Sequence, residues 1–131
     1  MRKLMLLVVL LLVLGLVACG GESAPATGAG GAAAGKDLFN QSTIGSQPGC
    51  MTCHSLEAGV NLVGPSLAVV GGEAGSRVSG QSAEEYLRLS IVEPGEFIVE
   101  GYAAGIMPAN YGNELSEQQL NDLVAYLLSL K

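Results

Sequence analysis

Basic side chains are scarce in this chain. Six Lys and Arg stand against twelve Asp and Glu, for a formal net charge of -6. Holding a phosphate backbone needs a basic face, so nucleic acid is excluded as a partner. Histidine is scarcer still, with one in 131 residues. A structural zinc site needs four ligands. Beyond Cys50, Cys53 and His54, the chain after residue 35 has no further Cys or His to complete one. Cysteine is limited to three. Cys50 and Cys53 form a pair and Cys19 stands alone behind an apolar run, so no cysteine is left for a disulfide. No segment shows convincing strand alternation, which leaves helices and loops.

The apolar run Leu4 to Val17 has about 14 residues, short of the roughly 20 that a spanning helix needs. It follows the basic Met1-Arg2-Lys3 and ends on small residues, the pattern of an export signal. Leu16-Val17-Ala18-Cys19 resembles the bacterial lipobox. That resemblance implies cleavage after Ala18 and diacylglycerol on the Cys19 sulfur. The protein would then be exported and lipid-anchored on the outer, periplasmic or extracellular, face of the cytoplasmic membrane. Two or three acyl chains would hold it firmly, where one alone is marginal. Loss of residues 1–18 removes Arg2 and Lys3 and moves the formal charge from -6 to -8. Such a charge permits docking to a basic patch on a partner.

Residues 19–35 comprise the lipidated cysteine and a stretch of Gly, Ala, Ser, Thr and Pro without a large apolar side chain. Such a stretch cannot offset its ordering entropy and reads as a flexible tether. Residues 36–131 remain as the one domain able to bury a core. A helix is expected from Lys36 to about Gln41, with Leu38 and Phe39 on it. Asn61 to Gly80 is Gly-rich and reads as irregular. Ser82-Ala-Glu-Glu85 and Ser116-Glu-Gln-Gln119 are capping boxes. The first opens a helix through Tyr86, Leu87 and Ile91 that stops before Pro94-Gly95. The second opens an amphipathic helix carrying Leu120, Leu123, Val124, Leu127 and Leu130. Glu96 to Asn113 has many turn formers and no clear period. The expectation is an all-α domain of three or four helices with long loops, which in so small a unit implies that something else fills the centre.

Cys50-Met51-Thr52-Cys53-His54 is C-x-x-C-H, the signature of c-type haem attachment. Two thiols one helical turn apart reach the two vinyl groups along one porphyrin edge, and the following histidine meets the iron. A thioredoxin-like C-x-x-C would want a βαβ pattern around it, and none is present. With one histidine, bis-His ligation within one chain is impossible. After the leader, two methionines remain. Met51 sits between the thioether positions, so Met107 is the candidate sixth ligand. Pro108 stiffens the loop that would present its sulfur; the competing role for Met107 is core filling.

These residues resemble class I cytochrome c over roughly Gly35 to Leu130. Gly35 and Phe39 look like the family's first helix, and Leu123 and Tyr126 like the last helix that crosses it. Gly64-Pro65-Ser66-Leu67 resembles the loop whose proline carbonyl accepts the proximal histidine's Nδ1–H. By looser likeness, Arg77 and Tyr102 are candidates to bind the propionates. Tyr86 to Pro94, Glu100-Gly-Tyr102 and Ile106-Met-Pro108 look like the cytochrome domains of terminal oxidase subunit II and the small cytochrome subunits of the alternative quinol-oxidising complex. One departure is the stretch between Phe39 and Cys50, longer than the family's usual few residues. It is expected to loop out as a tolerated surface insertion near the haem edge.

The resemblance implies one covalent haem c, no catalytic residues, and a membrane-anchored monohaem carrier of single electrons in a respiratory chain. Its partners would be redox proteins such as a quinol-oxidising complex or a terminal oxidase, with no small-molecule substrate. Alternatives are a haem enzyme or gas sensor with a labile sixth ligand, or a haem subunit of a larger redox complex. The first alternative wants a polar distal pocket. The chain has no second histidine, and beyond the leader its only arginines are Arg77 and Arg88.

Overall fold

The computed structural model describes residues 29–131. The leader, the lipobox and Cys19 lie outside the described residues. Among the described residues the chain forms five helices and one small hairpin: α1 (Ala29–Phe39), β1 (Thr43–Ile44), β2 (Gln47–Pro48), a 3-10 turn (Cys50–Thr52), α2 (Val70–Arg77), α3 (Ala83–Val92), α4 (Tyr111–Glu114) and α5 (Glu117–Ser129). The all-α class is as expected, with five helices in place of three or four. None of them is long and apolar enough to cross a membrane.

The framework is the crossing of α1 with α5. Leu38 and Phe39 are buried from one side, and Leu120, Leu123, Val124, Tyr126 and Leu127 from the other. The rings of Phe39 and Tyr126 meet edge-on with centroids 5.6 Å apart, an arrangement aromatic quadrupoles favour. Gly35 makes the crossing possible. A Cβ there would lie 1.9 Å from the backbone oxygen of Asp122 and 2.9 Å from the Tyr126 Cβ. The helices are therefore closer than any side chain at residue 35 allows.

The crossing also corrects two expectations. The tether expected for residues 19–35 ends earlier, because α1 begins at Ala29. Alanine is the best helix former, and Gly31 packs close to Asp122 and Ala125 of α5. Tertiary contact thus draws the Ala/Gly run into the helix. The stretch expected to be irregular contains α2, whose sequence VGGEAGSR holds three glycines in eight residues. Its propensity is poor, and packing overrides it. Val70 and Ala74 are buried, and a Cβ on Gly71 would lie 2.4–2.6 Å from backbone atoms of Leu127 and Leu128. Glycine is what lets α2 lie flush on the end of α5.

Both capping boxes form. Ser82 accepts the Glu85 N–H while the Glu85 carboxylate accepts the Ser82 N–H, and Ser116 and Gln119 do the same for α5. The segment between α1 and the cysteine pair is also ordered. Thr43 pairs with Pro48 and Ile44 with Gln47 across a two-residue Gly45-Ser46 loop. Gly45 has φ +57° and Ser46 stays negative, consistent with the Gly-first turn that suits right-twisted strands. Ile44 is 3 % exposed. The expected tolerated surface loop is instead a hairpin with one side chain in the core.

Gly35→Ala should lower stability by about 1–3 kcal/mol through overpacking against backbone. Gly72→Ala, where a Cβ meets nothing within 4 Å, should raise it by about 0.4–1 kcal/mol. Denaturant titration of the two variants checks the pair, and equal effects would contradict the close crossing.

Candidate functional site

The helices leave a cleft between them that side chains do not fill. It offers about 180 Å³ to the centres of waters, where a single water needs roughly 10–15 Å³. Its wall is overwhelmingly apolar, with Leu67, Leu87, Ile91, Phe97, Ile98 and Leu123 among its residues. Val63 and Ile106 line it while 56 % exposed. An apolar hollow of this size is costly unless an apolar body occupies it.

Cys50, Cys53 and His54 all line the cleft. The 3-10 turn puts them there. The N–H groups of Cys53 and His54 both donate to the Cys50 carbonyl, at 3.1 and 2.9 Å, and the Thr52 hydroxyl donates to the Gly49 carbonyl at 2.6 Å. The two thiols are free of one another as cysteines. Burial, with a smaller contribution from Cys53, pushes the Cys50 thiol up to about 11. Reactive redox cysteines have depressed values, and burial moves Cys50 in the opposite direction.

The loop that follows is pinned back onto the motif. Gly64 N–H donates to the Cys53 carbonyl and Leu67 N–H to the Ser55 carbonyl, each at 2.8 Å. The Asn61 carboxamide accepts the Ser66 N–H at 3.0 Å, and the Ser66 hydroxyl donates to the Glu57 carbonyl at 2.7 Å. Pro65 is thereby held with its carbonyl 2.9 Å from His54 Nδ1. A carbonyl only accepts, so Nδ1 carries the proton and the Nε2 lone pair is left for a metal. Burial lowers the His54 pKa, and the bond to Pro65 partly opposes this. The imidazole is thus kept neutral, the form that ligates. Gly64 completes the cradle: a Cβ there would lie 2.5 Å from His54 Cε1 and 2.8 Å from Nδ1. The glycine lets the loop press on the ring.

Met107 and Tyr102 line the same cleft, both half-buried. Met107 packs against the core, whereas Met51 is 47 % exposed. Arg77 is not brought into the cleft. It ends α2 and pairs with Glu73 one turn back, because the favourable i,i+4 spacing is nearer than the cavity. The sequence had pointed to Cys50, Cys53, His54, Pro65, Met107 and Tyr102, and the fold gathers these six around one cavity. It missed Gly64 as a contact of the ring. It also missed Ile44, Tyr111 and Leu115 as parts of the wall. The Gly-Ser pair between short segments is a hairpin signal that would have found Ile44; nothing local marks Tyr111.

The family model described as Cytochrome c matches residues 32–131. No curated protein matches the chain. The residues present fit the family's covalent haem c. Two thiols and a neutral imidazole with its Nε2 free converge on an apolar hollow that also holds a thioether.

Gly64→Ala should displace the imidazole and weaken its bond to Pro65. Purified variant protein should show a lower haem-to-protein ratio or an altered ferric spectrum beside the parent, at unchanged secondary structure by far-UV circular dichroism.

Proposed function

This chain belongs to the cytochrome c family, and from that premise we propose that it is a lipid-anchored carrier of single electrons in a respiratory chain. The coarser statement needs no proposal: it is a haem c electron-transfer protein of an all-α fold. Bound haem supplies a one-electron ferric/ferrous couple. Cys50 and Cys53 would hold it through thioethers, and His54 and Met107 would be the ligands of its iron. The observation that carries this is the cleft itself, where the cysteine pair, the His54–Pro65 bond and Met107 meet.

The chain's own residues then do three things. The Pro65 carbonyl fixes the His54 ring and increases its basicity. The Met107 thioether favours the softer ferrous state and raises the potential. The apolar wall that α2, α3 and α5 contribute disfavours water in the cleft. If His54 and Met107 both held the iron, no position would be left for a substrate, and outer-sphere electron transfer is the chemistry this pair would support. The first alternative, an enzyme or sensor with a labile sixth position, has less support, since the cleft wall contains no Arg, Lys, Asp or Glu and, beside His54, its polar side chains apart from the cysteines are the hydroxyls of Tyr86, Ser90, Tyr102 and Tyr111.

Support for the anchor is the leader and Leu16-Val17-Ala18-Cys19, followed by Gly- and Ala-rich sequence. Tethering would concentrate the domain at a membrane surface beside its partners. Support for those partners, a quinol-oxidising complex or a terminal oxidase, is the likeness of Tyr86–Pro94 and Ile106-Met107-Pro108 to their cytochrome domains. The acidic surface would dock on a basic patch of either.

Two experiments test this reading. Met107→Ala should abolish the ferric charge-transfer band of the methionine–iron bond, lower the midpoint potential and open the iron to carbon monoxide. A parent protein that already binds carbon monoxide rapidly would favour the sensor. Cys19→Ser should release the protein from native membranes into the exported soluble fraction; retention on the membrane would count against the lipid anchor.

A further inference from the structure

Resting on the haem-carrier reading, we infer that the 42–49 hairpin is a fastened wall of the cleft, and that Tyr111 and Glu114 are positioning residues that hold it closed and limit the water reaching the cleft beside Cys50.

The hairpin cannot stand by itself. Its strands are two residues long and pair only with each other, and a lone two-stranded hairpin is marginal in water. It is nevertheless part of the cleft, to which it contributes Ile44 and Gly49. Thr43 and Pro48 face solvent while Ile44 faces the core, so the wall is one residue thick.

Two long-range connections from α4 hold it there. The Tyr111 hydroxyl donates to the Pro48 carbonyl at 2.6 Å, across 63 positions of sequence. Pro48 lies two residues before Cys50, so this bond acts next to the attachment point. The Glu114 carboxylate accepts the Ser46 N–H at 3.3 Å and also the Ser46 hydroxyl. Tyr111 is buried and lines the same cleft as Cys50 and Cys53.

The glycines of the hairpin fit this arrangement. Gly45 supplies the positive φ of the turn, and a Cβ there would lie 1.9 Å from Glu114 Oε2. The same residue therefore serves the turn and the approach of Glu114. At the base, Gly49 N–H donates to the Ser42 carbonyl at 2.8 Å, and a Cβ on Gly49 would lie 1.7 Å from the Gln41 oxygen. The neck is closed as tightly as a backbone permits.

Position in the chain adds a second consequence. Tyr111 opens α4 four residues after Met107. The bonds that hold the hairpin therefore also anchor the C-terminal end of the loop that presents the methionine sulfur. One pair of contacts couples the closed wall to a steady sixth ligand. Water in the cleft stabilises the more highly charged ferric state, because burial and dielectric are levers on the potential. A fastened hairpin thus favours the ferrous state.

The test uses holoprotein carrying Tyr111→Phe, and separately Ser46→Ala with Glu114→Gln. The second variant changes groups at the turn and keeps the test standing if the first folds poorly. Ser82→Ala, which weakens the cap of α3 away from the hairpin, is the control. Potentiometric titration should show a lower midpoint potential in both hairpin variants. Hydrogen exchange of the 42–49 segment should be roughly fivefold faster per bond removed, as expected for one net hydrogen bond. Ser82→Ala should reduce global stability and move neither readout. An unmoved potential with haem in place, or faster exchange spread evenly over the whole domain, would overturn the inference and leave the carrier reading standing. Parent protein without a haem spectrum would overturn both, and that is seen before any variant is made.

Discussion

An apolar hollow that the chain does not fill with its own side chains is the constraint from which the rest of this structure follows. A domain of about a hundred residues buries a modest share of its surface, and this one spends much of its apolar wall on a cavity. The family's covalent haem c is a large apolar body of the kind that makes such a hollow sustainable. The cysteine pair, the oriented histidine and the partly buried methionine all face this hollow, where a body held by them would complete the core. The Gly35 crossing of α1 and α5 is the counterpart that makes this workable. It forms a dense, close-packed base, with Phe39 and Leu123 almost wholly buried, from which the looser half of the molecule is hung.

That looser half is held by backbone hydrogen bonds more than by packing. From Cys50 to Leu67 there is no helix beyond a single 3-10 turn, yet carbonyls of Cys50, Cys53, Ser55 and Glu57 each accept a bond from within the segment. The result is a rigid loop that sets the His54 ring to within the length of one hydrogen bond. Its rigidity matters for an electron carrier, since a site that changes little between oxidation states has little to reorganise. The hairpin and α4 apply the same logic to the other side of Cys50, with Tyr111 reaching back to Pro48.

Surface electrostatics complete the functional picture. The chain carries twice as many acidic as basic residues. Two of its basic groups are engaged within the domain, Arg77 with Glu73 and Arg88 with Glu117. Each pair neutralises one charge of either sign, so the acidic excess stays on the surface, and its reach is shortened by salt.

The sequence by itself determined the chemistry and the two capped helices. Cysteine and histidine at fixed spacing, and Ser-x-x-Glu or Ser-x-x-Gln ahead of an apolar period, are local signals whose physics acts within a turn of chain. It also singled out Met107, because so few sulfur and imidazole donors were present to choose from. Tertiary structure alone decided α2, the early start of α1 and the fate of the insert. Each of these turns on a contact between residues far apart in sequence: Gly71 on the end of α5, Gly31 beside Asp122, Tyr111 on Pro48. Arg77 shows the converse, where a neighbour one turn away outcompetes a distant cavity. Local propensity is worth tenths of a kcal/mol per residue, so close packing or a buried bond across the fold overrides it wherever the two disagree.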